Sequence, residues 1–145
     1  MIYFIGAGPG PLDLITVKGM DLIELADLII YPEPPINLQL LDYAKEGCEF
    51  FNSAGLPLEK VVVEMVTAAQ KGKMVVQLVA GDAKEYDVNH EQLGLLRSYC
   101  LEYEVVYGVS WGYIKLHFLL LKTLHFFSEK MILKLNIAFC LTVVH

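Results

Sequence analysis

Ile2-Tyr3-Phe4-Ile5-Gly6-Ala7-Gly8-Pro9-Gly10-Pro11 is the stretch on which the fold turns. An apolar run of strand length ends on a glycine cluster, the pattern of a buried strand feeding a sharp turn. Behind it, Leu14, Val17, Leu22, Leu25 and Ala26 fall at helical spacing, with Asp13 and Asp21 toward the amino end, where negative charge suits the helix dipole. The alternation then repeats. Leu28–Tyr31 is predicted as a second strand, stopped by Pro32, Pro34 and Pro35, and Asn37 caps a short helix through Ala44 with Gly47 beyond its end. Glu49–Phe51 is a third strand, and Pro57 and Leu58 open a helix through Ala69 with Gly72 as its stop. Met74–Val79 is a fourth strand before Gly81, Val88–Tyr99 is helical, and Tyr103–Val106 is a fifth strand. Strands separated by helix-length segments predict an α/β fold: a roughly five-stranded, mostly parallel sheet with helices on both faces.

Composition agrees with one core-forming domain. The chain has 145 residues, 55% hydrophobic and 19% charged, with a net charge of −6 and a mean hydropathy of +0.48. That apolar content excludes disorder, and an acidic pI near 5.1 argues against a general nucleic-acid binder. No charge-free stretch reaches the roughly 18–20 apolar residues of a membrane span, and the amino terminus has no basic segment of a signal peptide. Cys48, Cys100 and Cys140 are odd in number and far apart, which argues for a reduced, cytoplasmic setting and against a zinc site.

The charge is unevenly spread. Residues 1–110 hold 7 Lys/Arg and 16 Asp/Glu, whereas residues 111–145 hold Lys115, Lys122, Lys130 and Lys134 against Glu129 alone. The division predicts an acidic domain over 1–110 and an apolar, mildly basic tail over 111–145. Lys115, Lys122 and Glu129, seven apart, would line one face of a helix in that tail; strand packing is left open.

Three glycine-bearing loops follow the first, fourth and fifth predicted strands: Gly6–Pro11, Ala80-Gly81-Asp82-Ala83 and Tyr107-Gly108-Val109-Ser110. In a parallel sheet they share the carboxyl edge, where ligands bind. The first is no dinucleotide fingerprint, because Pro11 stands where G-x-G-x-x-G needs its third glycine. The second offers a carboxylate suited to hydroxyls, ammonium groups or a sulfonium cation, or else only an Asx-turn or helix cap; Ser110 in the third could equally be a helix N-cap. His90, His117, His125 and His145 lack metal-ligand spacing, and Ser53 lacks the G-x-S-x-G elbow of a hydrolase. Tyr103 and Tyr107 share a strand face and read as core.

Taken together, Ile5-Gly6-Ala7-Gly8-Pro9-Gly10, Leu14-Ile15-Thr16-Val17-Lys18-Gly19 and Ala26-Asp27 before Ile29-Ile30-Tyr31 resemble the tetrapyrrole methylases, S-adenosylmethionine-dependent enzymes of corrin and sirohaem synthesis. Leu41–Gly47, Asn52-Ser53-Ala54 and Leu58-Glu59 look most like the branch that methylates C11 of cobalt-precorrin-4 in cobalamin synthesis. The resemblance covers about residues 1–110 and implies the family's N-terminal α/β domain, whose donor lies in a cleft against a second α/β domain. It implies S-adenosylmethionine contacts at Pro9, Gly81, Asp82, Glu85 and Ser110, a tetrapyrrole trough bordered by Gly8, Gly10 and Ser53, a homodimer, no metal and no assigned catalytic side chain. Pro11, Ala83, Asp87 and Tyr107 depart from the family's usual residues, and the resemblance stops after Ser110. The expectation is therefore a truncated or degenerate form of such a methyltransferase. The alternatives are a non-catalytic remnant that binds a partner through exposed apolar surface, and a domain held at a membrane surface by its apolar tail.

Overall fold

The computed structural model describes residues 1–32, 36–83 and 90–110, with Gly112, Leu116, Leu119 and Leu120 beyond them. The chain divides into two units, Met1–Trp111 and Gly112–His145. The first unit is built on five strands: β1 (Ile2–Gly6), β2 (Leu28–Tyr31), β3 (Glu49–Asn52), β4 (Val75–Val79) and β5 (Tyr103–Val106). All pair in parallel, in the order β3-β2-β4-β1-β5. The mostly parallel α/β sheet read from the sequence is therefore the fold observed.

Side chains alternate across each strand, which gives the sheet two apolar faces. Ile2, Phe4, Leu28, Ile30 and Val75 pack beneath α2 (Leu58–Gln70), through Val61, Val62, Met65 and Val66, and beneath α3 (His90–Ser98), through Leu96. Ile5, Ile29, Val76, Leu78 and Val106 pack beneath α1 (Val17–Leu25), through Ile23, and beneath Leu40 of a 3-10 segment, Leu38–Tyr43. Each fully buried side chain of this size contributes about 1.5–3 kcal/mol, so both layers are needed to hold the sheet.

Helix α1 differs from its sequence reading. The chain passes through a 3-10 turn, Leu12–Leu14, and α1 starts only after Thr16, whose hydroxyl accepts from the Gly19 N–H at 3.2 Å. That later start turns the helix so that Gly19 and Ile23 face the sheet, while Val17 is 80% and Leu25 59% exposed. No acid lies in its first turn. Gly19 allows the close approach: a Cβ there would stand 3.0 Å from Ile5 Cγ2. Asn37 caps as expected, through Gln39 N–H at 3.1 Å, but it caps 3-10 rather than α-helix. Residues 88 and 89 of the fourth predicted helix, and most of the tail, lie outside the described residues; Gly112, Leu116, Leu119 and Leu120 are helical. No helix among the described residues is long and apolar enough to cross a membrane.

Candidate functional site

The strand order creates a crevice. The connection after β1 carries α1 on one face toward β2, and the connection after β4 carries α3 on the other face toward β5. Neighbouring strands whose connections leave to opposite faces part at their carboxyl ends, where open α/β sheets bind ligands. The register brings the last residues of β4, β1 and β5 side by side, with Gly6 opposite Val79 and Ile5 opposite both Leu78 and Val106.

The three glycine loops meet at this point. Gly8 and Gly81 form an isolated antiparallel bridge just past the sheet, Gly8 N–H donating to Gly81 O at 3.1 Å and Gly81 N–H to Gly8 O at 2.9 Å. Gly8 takes φ +73°, and a Cβ there would stand 2.7 Å from the Leu14 carbonyl oxygen, so no larger residue fits. Gly6 and Gly108 touch backbone to backbone: a Cβ on Gly6 would lie 2.7 Å from Gly108 Cα and 2.7 Å from Gly81 O. A Cβ on Gly108 would likewise collide with Gly6 and with the Gly81 carbonyl oxygen.

Side chains complete the junction. Asp82 Oδ1 accepts from the Gly108 N–H at 3.1 Å, linking the β4 and β5 loops across the end of β1. The Thr16 hydroxyl donates to the Tyr107 carbonyl at 3.3 Å. Pro9 is buried beside the bridge, Gly10 is half-buried, and Ser110 is buried at the end of the third loop. Asp82 thus makes a long-range bond beyond the local turn or cap that its Gly-Asp sequence suggests. Ser53 also lies at the carboxyl edge, its N–H donating to Tyr31 O at 2.8 Å. It follows β3, two strands from β4 and so roughly 10 Å to the side. Glu85 lies outside the described residues.

Sequence reasoning missed Thr16 as part of this site. Its signal was present, since threonine is a preferred N-cap, but counting the apolar period from Leu14 hid the cap inside the helix. Tyr107 is 58% exposed and is no core residue, whereas Tyr103 packs edge-on against Phe4 with ring centroids 6.1 Å apart.

The three loops, residues 6–11, 80–83 and 107–110, contain no Lys or Arg. Among the described cations, Lys45 pairs with Asp27 at 2.5 Å, Arg97 donates to Tyr103 Oη at 2.8 Å, and Lys18 pairs with Glu104. Asp27 and Tyr103 stand where β2 and β5 begin, at the opposite edge of the sheet. No group of His, Cys, Asp or Glu among the described residues is arranged to hold a metal. A backbone-walled crevice with one carboxylate suits an uncharged or cationic ligand better than a phosphate.

The family described as Tetrapyrrole (Corrin/Porphyrin) Methylases matches residues 1–112. The chain belongs to this family. Among individual tetrapyrrole methylases, a cobalt-precorrin-4 C(11)-methyltransferase of Methanocaldococcus jannaschii is 43% identical over 109 residues, covering 75% of this chain and 42% of that protein. The X-ray structure of a cobalt-precorrin-4 methyltransferase, a cobalamin biosynthetic enzyme, superposes with a TM-score of 0.72 at 40% identity, covering 75% of this chain and 46% of the other. A Thermus thermophilus uroporphyrin-III C-methyltransferase, complexed with S-adenyl homocysteine, gives a TM-score of 0.64 at 26% identity, covering 75% and 45%. The chain thus spans less than half the length of the curated tetrapyrrole methylases it matches.

Proposed function

We propose that this chain carries the donor-binding half of an S-adenosylmethionine-dependent methyltransferase acting on a tetrapyrrole in cobalamin synthesis, with C11 of a cobalt-precorrin-4-like ring as the methylated carbon. The observation that carries the reading is the meeting of Gly6, Gly81 and Gly108 where the carboxyl ends of β1, β4 and β5 come together. Backbone lines that crevice, the Asp82 carboxylate stands at its edge, and its loops hold no cation for a phosphate. The likeness to C11-methyltransferases supports the choice of carbon.

In this reading Pro9, Gly81, Asp82 and Ser110, together with Glu85, hold S-adenosylmethionine, while Gly8, Gly10 and Ser53 border the macrocycle. The bound donor supplies an electrophilic sulfonium methyl group. The protein's task is to hold a ring carbon in line with it and to keep water out, which calls for shape more than for an acid or base; no side chain is assigned a catalytic role. Lys45 and Arg97 stand at the far edge of the sheet from the three loops, which themselves hold no cation.

Calorimetric titration of the full chain with S-adenosylmethionine tests this. Saturable heat is expected, reduced in Asp82→Ala; no heat at millimolar donor overturns the reading. If the chain binds donor, incubation with cobalt-precorrin-4 should add the mass of one methyl group, and an unchanged mass overturns the catalytic part. We place the protein in the cytoplasm, in keeping with the free Cys48 and Cys100, as a homodimer. Sedimentation equilibrium should show the dimer, and a plain monomer overturns it.

A further inference from the structure

The peptide group between Tyr107 and Gly108 is gripped at both ends by side chains from outside its own loop, Thr16 at the start of α1 and Asp82 in the β4 loop. Its oxygen accepts from Thr16 Oγ1 at 3.3 Å, and its N–H donates to Asp82 Oδ1 at 3.1 Å. In a planar trans peptide these two atoms point in opposite directions, so the bonds together fix the orientation of the plane. The grip is needed here. Gly108 can carry no side chain, because a Cβ would strike Gly6 and Gly81, and a glycine without anchors is the freest residue in a chain. The Thr16 hydroxyl is equipped for two partners: it accepts from Gly19 N–H as the cap of α1 and donates to Tyr107 O.

We propose that Thr16 and Asp82 are positioning residues that clamp the Tyr107–Gly108 peptide and so set the spacing between the β5 loop and the Gly8–Gly81 wall of the crevice. The clamp rests on the donor-binding reading only in its consequence, which is tighter binding of S-adenosylmethionine; the held peptide can be measured without any ligand.

The test separates clamping from capping. Thr16→Asp keeps a side-chain oxygen for the Gly19 N–H, and aspartate caps as well as threonine, but its carboxylate cannot donate to Tyr107 O. Thr16→Ser keeps both bonds. Amide exchange at Gly108 should be about two- to tenfold faster in Thr16→Asp and Asp82→Ala than in the wild type. It should return to the wild-type rate in Thr16→Ser, with Phe4 and Val76 amides unaffected throughout. Donor affinity should fall by a similar factor in Thr16→Asp and be restored in Thr16→Ser. Unchanged Gly108 exchange in Thr16→Asp overturns the clamp. Faster exchange with unchanged affinity overturns its role in positioning the donor site. A wild-type chain that binds no donor overturns the functional reading, and the positioning role with it, while the exchange data still decide whether the peptide is held.

Discussion

At Gly108 the space that any side chain would need is filled by backbone. A Cβ there would lie 2.7 Å from Gly6 Cα and from Gly6 O, with the Gly81 carbonyl nearer still. None of these neighbours is a flexible side-chain end that could move aside. Gly108→Ala should therefore force the third loop away from β1, costing about 1–3 kcal/mol as overpacking does. The urea midpoint should drop, and donor heat should weaken in the same variant. The three loops were legible as glycine-bearing turns at one sheet edge. That Gly6 and Gly108 touch was not, because the contact exists only once β5 lies against β1, and nothing local in either loop specifies that pairing. Thr16 was hidden for a different reason: a residue that both caps a helix and reaches another loop shows only its capping half in sequence.

Two helices end in the same way with different residues. After α2, Gly72 N–H bonds Ala69 O at 3.0 Å and Lys73 N–H bonds Ala68 O at 3.1 Å, with Gly72 at φ +79°. After α3, Cys100 N–H bonds Arg97 O at 2.9 Å and Leu101 N–H bonds Leu96 O at 3.3 Å, with Cys100 at φ 54°. Both are Schellman ends, whose left-handed position favours glycine. Cys100→Gly should therefore stabilise the protein by about 1 kcal/mol, read as a higher melting temperature. Gly94, inside α3 with nothing within 4 Å of a built Cβ, is the converse case. Gly94→Ala should add about 0.5–1 kcal/mol through helix propensity. The Gly72 stop was visible in the sequence, whereas the Cys100 stop carried no such signal. In β3, burial follows no inside–outside alternation, and Phe50 is 49% exposed.

Across the whole molecule, Asp27 gathers the amino edge of the sheet. Its carboxylate accepts from Lys45 Nζ at 2.5 Å and from Met74 N–H at 2.7 Å, and its backbone carbonyl accepts from Glu49 N–H at 2.9 Å. The hydrogen bond from Lys45, followed by that from Met74, holds the Asp27 carboxyl below its ordinary value of 3.8. A lowered carboxylate stabilises the fold fully above its unfolded value, and that stabilisation is lost as pH falls through the folded one. The stability gap between wild type and Asp27→Asn should thus be open at neutral pH and close as the pH falls below about 4, as urea unfolding across pH would show. Five parallel strands could be counted from the sequence, but the order β3-β2-β4-β1-β5 could not, since any crossover of adequate length is locally acceptable. The Gly8–Gly81 bridge has a consequence for how such a crevice can diversify. It ties the β1 and β4 loops together through main chain alone, so that wall changes only if the backbone of those loops changes. The β5 loop abuts that backbone at Gly108, but its Tyr107–Gly108 peptide is held by the Thr16 and Asp82 side chains, and replacing either one can let the loop move outward. The recess has a fixed jaw and an adjustable one, and new ligand preferences would arise at the adjustable jaw.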